Sequence, residues 1–212
     1  MELLSDELTN YLDSYCDSED DLLKTINRDT HLKVLKPHMV SGHYQGRVLS
    51  MLSKLINPER ILEIGTFTGY ATLCLAEGLS ATGIIHTIDV NQELEEMARN
   101  FFQKSTYNHQ VQYHLGNALD IIPNLNETFD LVFIDADKKN NDAYYDLVFD
   151  KLSSGGLIIV DNVLWKGKVL ENVDNDNTTN IIIKFNNKIQ ADNRVEKLIL
   201  PIRDGLLVIR KK

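Results

Sequence analysis

Residues 60–70 read RILEIGTFTGY. Ile61, Leu62 and Ile64 are apolar on near-consecutive positions, the pattern of a strand covered on both faces. Gly65 and Gly69 then straddle a strand-to-helix turn. Glycine there lets a ligand approach the backbone closely, and a helix N-terminus favours a negatively charged group. An ordinary tight turn would also use two glycines, so the loop by itself does not decide between a ligand site and simple chain reversal.

Working outward, the same strand pattern recurs in GIIHTID (83–89), VQYHLG (111–116), FDLVFID (129–135) and GLIIVD (156–161). Between these runs lie YATLCLAEGL, NQELEEMARNFFQKS, ALDIIPNL and KNNDAYYDLVFDKL, whose apolar residues recur every three or four positions. Strand and helix alternate, which predicts a doubly wound, parallel open sheet. The chain closes with VEKLILPIRDGLLVIRKK (195–212), two β-like runs around RDG, so at least one of the last two strands should run antiparallel. LLSDELTNYLDSYC and GHYQGRVLSMLSKLI read as helices joined by a polar segment around RDTHLKVLKPHMVSG. These form a helical cap (1–57) on an α/β core (58–212), and ENVDNDNTTN (171–180) is the expected mobile loop.

The 212 residues, 43% hydrophobic and 25% charged, fit one globular α/β domain with a sizeable core. A formal net charge of -9, with no basic run longer than Arg210-Lys211-Lys212, argues against nucleic acid or acidic membranes as partners. Cys16 and Cys74 are the only cysteines, and the acidic, amphipathic N-terminal stretch is unlike a signal peptide, which points to the cytoplasm. The longest apolar runs are strand-sized, too short to cross a bilayer.

In open parallel sheets, ligands bind outside the carboxyl ends of the strands. The second strand ends in Asp89, about 25 residues on from the loop, where an acidic residue accepts from ribose hydroxyls in adenosine-binding folds. Asp89 could equally cap the next helix. The order is G-x-x-x-G after Glu63 rather than G-x-G-x-x-G, which suits S-adenosylmethionine, a ligand with a cationic amino group and a sulfonium and no pyrophosphate. The fourth strand ends in Asp135, Asp137 and Lys138, and the fifth in Asp161-Asn162. Neighbouring strand ends lie about 5 Å apart, so Asp135 and Asp161 can converge, and a hard divalent cation would explain two carboxylates and an amide at one point. The alternative is a helix cap at Asp161 and an ion pair between Asp135 and Lys138. Lys138 beside a cation could serve as general base toward an acidified hydroxyl, or be a solvated lysine. Trp165, the single tryptophan, either walls an aromatic pocket or packs in the core.

The combination of LEIGTFTGYATLCLA, IDVN, FDLVFIDADK, GGLIIVDNVLW and PIRDGLLVIRK resembles the cation-dependent O-methyltransferases of the catechol and caffeoyl-coenzyme A type, especially small bacterial members, from about Lys36 to the end. The resemblance implies a Rossmann-like S-adenosylmethionine-dependent methyltransferase fold: a mostly parallel seven-stranded sheet with a C-terminal antiparallel hairpin and an N-terminal helical cap. It implies Asp135, Asp161 and Asn162 as ligands of magnesium, or of manganese or calcium, and Lys138 as the catalytic lysine. Met39, Val40 and Ser41 would lie near the methionine part of the cofactor. Glu63, Gly65, Thr66, Asp89, Val90, Asn117, Ala118, Asp135, Asp137 and Tyr144 would line the rest of its site, with Trp165 and Lys166 facing the substrate. The expected reaction is methylation of one hydroxyl of a vicinal dihydroxy aromatic by a homodimer. A methyltransferase acting on RNA or protein, or a non-catalytic S-adenosylmethionine-binding protein, are the alternatives. The chain departs from the family pattern at Gly46-Arg47, where Gly-Gln is frequent, and at Ala71, where serine is common. Near Leu198, the animal catechol enzyme carries a glutamate that binds the second phenolic hydroxyl.

Overall fold

A computed structural model describes residues 5–170 and 176–212. Three helices, α1 (Asp6–Ser14), α2 (Asp21–Lys33) and α3 (Gly42–Ile56), precede the first strand, β1 (Arg60–Ile64). There follow α4 (Tyr70–Ala76), β2 (Ile84–Asp89), α5 (Gln92–Lys104), β3 (Val111–Leu115), α6 (Ala118–Ile121), β4 (Phe129–Ile134), α7 (Asn141–Phe149) and β5 (Leu152–Val160). The chain ends with α8 (Asn177–Ala191), β6 (Val195–Leu200) and β7 (Leu206–Lys211).

The seven strands form one sheet in the order β3-β2-β1-β4-β5-β7-β6. The first five are parallel, and β7 runs antiparallel to both β5 and β6. Consecutive apolar residues on the central strands are explained by helices on both faces. Leu62, Ile64, Val132, Ile134, Ile158 and Val160 pack against Tyr145 and Val148 of α7 and Phe185 and Ile189 of α8. Ile61, Leu131, Phe133 and Ile159 point the other way, against Leu49 of α3 and Leu75 and Ala76 of α4. The order in which successive strands are added reverses between the parallel neighbours β1 and β4, the crevice where open α/β sheets bind ligands. Register makes the strand ends level: Ile64 lies opposite both Ile88 and Ile134, and Ile134 opposite Val160. The next residues along, Asp89, Gly65, Asp135 and Asp161, therefore stand side by side at the rim of the crevice.

Two helices differ from the sequence expectation. The polar segment around RDTHLKVLKPHMVSG is helical in its first part, since α2 extends to Lys33. Its buried face is only Leu23, Ile26 and Thr30, and the Asp20 carboxylate caps it by accepting from Leu23 N–H at 2.7 Å. The second is α8, which begins inside the stretch expected to be a mobile loop. Asp176 accepts from Thr178 and Thr179 N–H at 3.1 and 3.2 Å, and Ile182, Phe185 and Ile189 bury the helix. Residues 171–175 of that loop lie outside the described residues. Among the described residues, no helix is long and apolar enough to cross a membrane.

Candidate active site

Gly65 has φ +106, and a Cβ placed on it would lie 2.3 Å from the Asp135 carbonyl oxygen, so only glycine lets β1 and β4 approach this closely. Gly69, at φ +86, would likewise drive a Cβ to 2.5 Å from the Phe102 ring. The turn is held on both sides. Phe67, itself at φ 50, donates its N–H to Asp89 Oδ2 at 2.7 Å, and Asn91 N–H donates to Asp89 Oδ1 at 2.8 Å. Asp89 is thus not the cap of α5; Asn91 is, accepting from Glu93 N–H. The hydroxyls of Thr30 in α2 and Thr68 are hydrogen-bonded at 2.9 Å, so the helix hidden in the sequence supports the turn from above.

Beneath the turn Glu63 is fully buried. Thr72 and Thr87 both donate to its Oε2, Thr87 at 2.5 Å, while Oε1 has no partner among the described residues. Burial, then the threonine bonds in opposition, then the charges of Asp135 and Asp89 leave its carboxyl pushed up to about 8.

Beside the turn lies a narrow hollow of about 10 Å³. Met39, Val40, Ser41, Gly65, Thr66 and Asp135 line it, six of the residues expected there, together with Ala71, the cofactor-loop position where serine is common in the family, and Phe67, Thr68 and Tyr70, which the sequence reading does not assign to it. A broader depression of about 360 Å³ follows one face of α5 from Gln92 to Gln103, is lined by that helix alone and includes none of the strand-end residues.

At the tip of β5, Asp161 is 5% exposed. Its Oδ2 accepts from Gln45 Nε2 at 2.8 Å and its Oδ1 from Asn162 N–H at 2.6 Å, so it does not cap a helix. Burial, and then the charge of Asp135, push its carboxyl up to about 7 against the opposing pull of Lys138. Lys138 Nζ donates to Asp135 Oδ1 at 3.0 Å, the ion pair foreseen as the alternative use of that carboxylate. Asn162 has φ 63, a left-handed conformation that asparagine tolerates better than most residues. Among the described residues no three His, Cys, Asp or Glu side chains converge on a metal-sized point. Asp135, Asp161 and Asn162 contribute two carboxylates and one carboxamide, an all-oxygen set suited to magnesium, manganese or calcium. Two neighbouring carboxylates, one nearly buried with its acid range raised, are an arrangement a cation would relieve, so these residues fit a divalent ion.

The other expected residues are spread around this centre. Tyr144, 4% exposed, donates to Asp137 Oδ1 at 2.6 Å, and Asn140 donates to Asp137 Oδ2 at 2.7 Å; burial, then Asp137, push the Tyr144 phenol up. Val90 is exposed just past β2. Asn117 caps α6 through Leu119 N–H, and Ala118 is buried in the core beneath it. Trp165 and Lys166 form a left-handed turn at φ 48 and 55, with Lys166 N–H donating to Asp204 Oδ1. Gln45 and Asp204 were not foreseen. Both are polar residues whose partners lie far along the chain, and no spacing rule brings them together.

The fold, the glycine turn and the acidic strand ends define the class of S-adenosylmethionine-dependent methyltransferases. Comparison with known proteins agrees. The O-methyltransferase family profile matches residues 13–212. A caffeoyl-CoA O-methyltransferase of Petroselinum crispum is 35% identical over 185 residues, 82% of this chain and 77% of the relative. A probable caffeoyl-CoA O-methyltransferase 2 of Dictyostelium discoideum is 31% identical, covering 98% of this chain and 92% of its own length. Among solved structures, the O-methyltransferase TomG of Streptomyces achromogenes, in complex with S-adenosylmethionine, superposes with a TM-score of 0.90 at 28% identity, covering 97% of this chain and 96% of TomG. The O-methyltransferase of Bacillus cereus, in complex with S-adenosylhomocysteine, gives 0.89 at 32% identity and 97% of both chains. The chain belongs to the O-methyltransferase family.

Proposed function

We propose that this enzyme transfers the methyl group of S-adenosylmethionine to one hydroxyl of a catechol-like aromatic small molecule, with a divalent cation held by Asp135, Asp161 and Asn162. The observation that carries the reading is Asp161, a nearly buried carboxylate beside a second one, at the strand end next to the groove that Gly65 opens. When bound, a divalent cation supplies Lewis acidity that lowers the pKa of a coordinated hydroxyl. S-adenosylmethionine supplies a methyl group already activated for transfer.

The chain's own residues bind and orient. Asp89 accepts one N–H on each oxygen and retains acceptor capacity for ribose hydroxyls. Tyr144 and Asn140 fix the carboxylate of Asp137. Met39, Val40 and Ser41 wall the groove on the side assigned to the methionine part. Lys138, ion-paired with Asp135, lies beside the carboxylate that would share the acceptor's ion; after giving up its own proton to solvent, its neutral amine would take up the departing phenolic proton. Trp165 and Lys166 face the acceptor in this reading. The net charge of -9 favours a small aromatic acceptor over nucleic acid or a membrane, and the family resemblance adds a homodimer, taken to work in the cytoplasm.

The test is a panel of catechols and non-catechol phenols assayed with magnesium, manganese, calcium and excess EDTA. Transfer to catechols alone, lost in EDTA and restored by an added ion, is the expected result. Full turnover in EDTA rejects the cation. S-adenosylhomocysteine binding without transfer to any catechol rejects the acceptor class. Sedimentation of a monomer under assay conditions rejects the dimer.

A further inference from the structure

We propose that Arg203 is a positioning residue for methyl-donor binding, acting through the loop that walls the groove. It lies in the turn joining β6 to β7, at φ 49. Its Nη1 donates to the Val40 carbonyl at 2.7 Å and also to the Ser41 carbonyl, and its Nη2 donates to the His38 carbonyl at 3.0 Å. All three acceptors are main-chain oxygens of the segment whose Met39, Val40 and Ser41 line the hollow. That segment is a single 3₁₀ turn, Pro37–Met39, followed by extended backbone at Val40, with no sheet to hold it. A planar guanidinium can fork to three carbonyls from one rigid group, which a lysine ammonium on a flexible stem cannot reproduce.

The same turn grips the opposite wall. Val163 N–H donates to the Gly205 carbonyl at 3.2 Å, Leu164 N–H to the Asp204 carbonyl at 2.9 Å, and Lys166 N–H to the Asp204 carboxylate. Gly205 packs so closely on Leu164 that a Cβ there would sit 2.4 Å from Leu164 Cγ. The turn is thereby fixed to the segment that immediately follows Asp161-Asn162, and Arg203 sets the 38–41 loop relative to it. Residues 163 positions apart in the chain are held in one frame across the site. The 38–41 loop is then already ordered when the ligand arrives, and its ordering cost is not charged to binding.

This inference rests on the reading that the groove takes the methyl donor, and the experiment separates the two. S-adenosylhomocysteine is titrated calorimetrically into the full chain, Arg203→Ala, Arg203→Lys and Arg210→Ala, the last removing the exposed ion pair of Arg210 on β7 with Glu196 on β6, remote from the groove. Amide exchange and thermal unfolding are recorded on each. Arg203→Ala is expected to bind about tenfold or more weakly, the scale of a lost charge-assisted hydrogen bond, with Arg203→Lys in between. Faster exchange should be confined to the neighbourhood of Met39 and Val40, the KM for S-adenosylmethionine should rise by the same factor, and Tm should fall no further than in Arg210→Ala. Affinity within about twofold of the parent overturns the proposal, as does an affinity loss accompanied by faster exchange throughout the sheet. A parent chain that binds no S-adenosylhomocysteine overturns the groove reading and this one with it, whereas a parent that binds while Arg203→Ala binds equally well overturns this one alone.

Discussion

Replacing Gly65 by alanine tests the close approach of β1 and β4 that opens the groove. The new Cβ would lie 2.3 Å from the Asp135 carbonyl oxygen and 2.8 Å from its carbon, with φ at +106. The carbonyl has no easy retreat, because Asp135 N–H is bonded to Ile64 O at 2.9 Å and Asp161 N–H to Ile134 O at 3.0 Å. Backbone strain at such an angle costs about 1–3 kcal/mol and overpacking about 1–3 kcal/mol more, so roughly 2–6 kcal/mol in total. For a chain of this length that corresponds to a fall in Tm on the order of 10 °C. Gly155→Ala is the comparator: its φ is +79, but the nearest atom to its Cβ would be the flexible end of Arg210 at 3.4 Å, leaving the backbone cost alone. Melting of both variants and titration with S-adenosylhomocysteine should show Gly65→Ala the less stable and the only one with impaired binding. Equal melting temperatures, with parent-like affinity in Gly65→Ala, would refute the reasoning.

Asp161→Asn should raise Tm in EDTA at pH 8, because it removes a buried charge whose acid range is pushed up to about 7, while the magnesium-dependent rise in Tm disappears and turnover falls about 100-fold or more. A variant that keeps both the magnesium shift and its rate would exclude Asp161 as a ligand. Tyr144→Phe deletes the 2.6 Å bond to Asp137 but leaves Asn140 in place, so affinity for S-adenosylhomocysteine should drop by a factor of about 3–10, read by calorimetry. His86 and His114 contact each other at 3.0 Å, and burial first, then neighbouring positive charge, lowers the pKa of both. The folded state therefore binds fewer protons than the unfolded chain, and the stability from this pair is intact above pH 6.5 and lost as pH falls below it. Urea unfolding from pH 7.5 to 5 should steepen below that point, and His86→Leu should flatten the dependence.

The parallel strands were legible because consecutive apolar residues have one economical explanation, a sheet covered on both faces. Asp161-Asn162 stood out for the complementary reason, as polar side chains at the end of such a run. α2 was missed because its buried stripe is Leu23, Ile26 and a threonine, and Thr30 hides its third contact behind a hydroxyl that bonds Ile26 O and Thr68. α8 was missed because NTTNIIIKFNNKIQA combines β-branched residues with asparagines, both poor helix formers; tertiary burial of Ile182, Phe185 and Ile189 decides its state. At the site, residue types and strand ends were readable, since chemistry and topology together mark them. Gln45 beside Asp161 and Arg203 beneath the 38–41 loop depend on contacts between distant segments, for which a single sequence carries no periodic signal.

The Gln45 bond to Asp161 has a practical consequence for anyone grafting acceptor preference between relatives. A transplanted helical cap brings its own residue into contact with the buried carboxylate at the end of β5, so exchanging only the N-terminal segment would disturb the acidic centre as well as the pocket wall. A chimaera that keeps its chemistry has to exchange matched pieces: the cap, the stretch following β5 and the hairpin bend that ties them together.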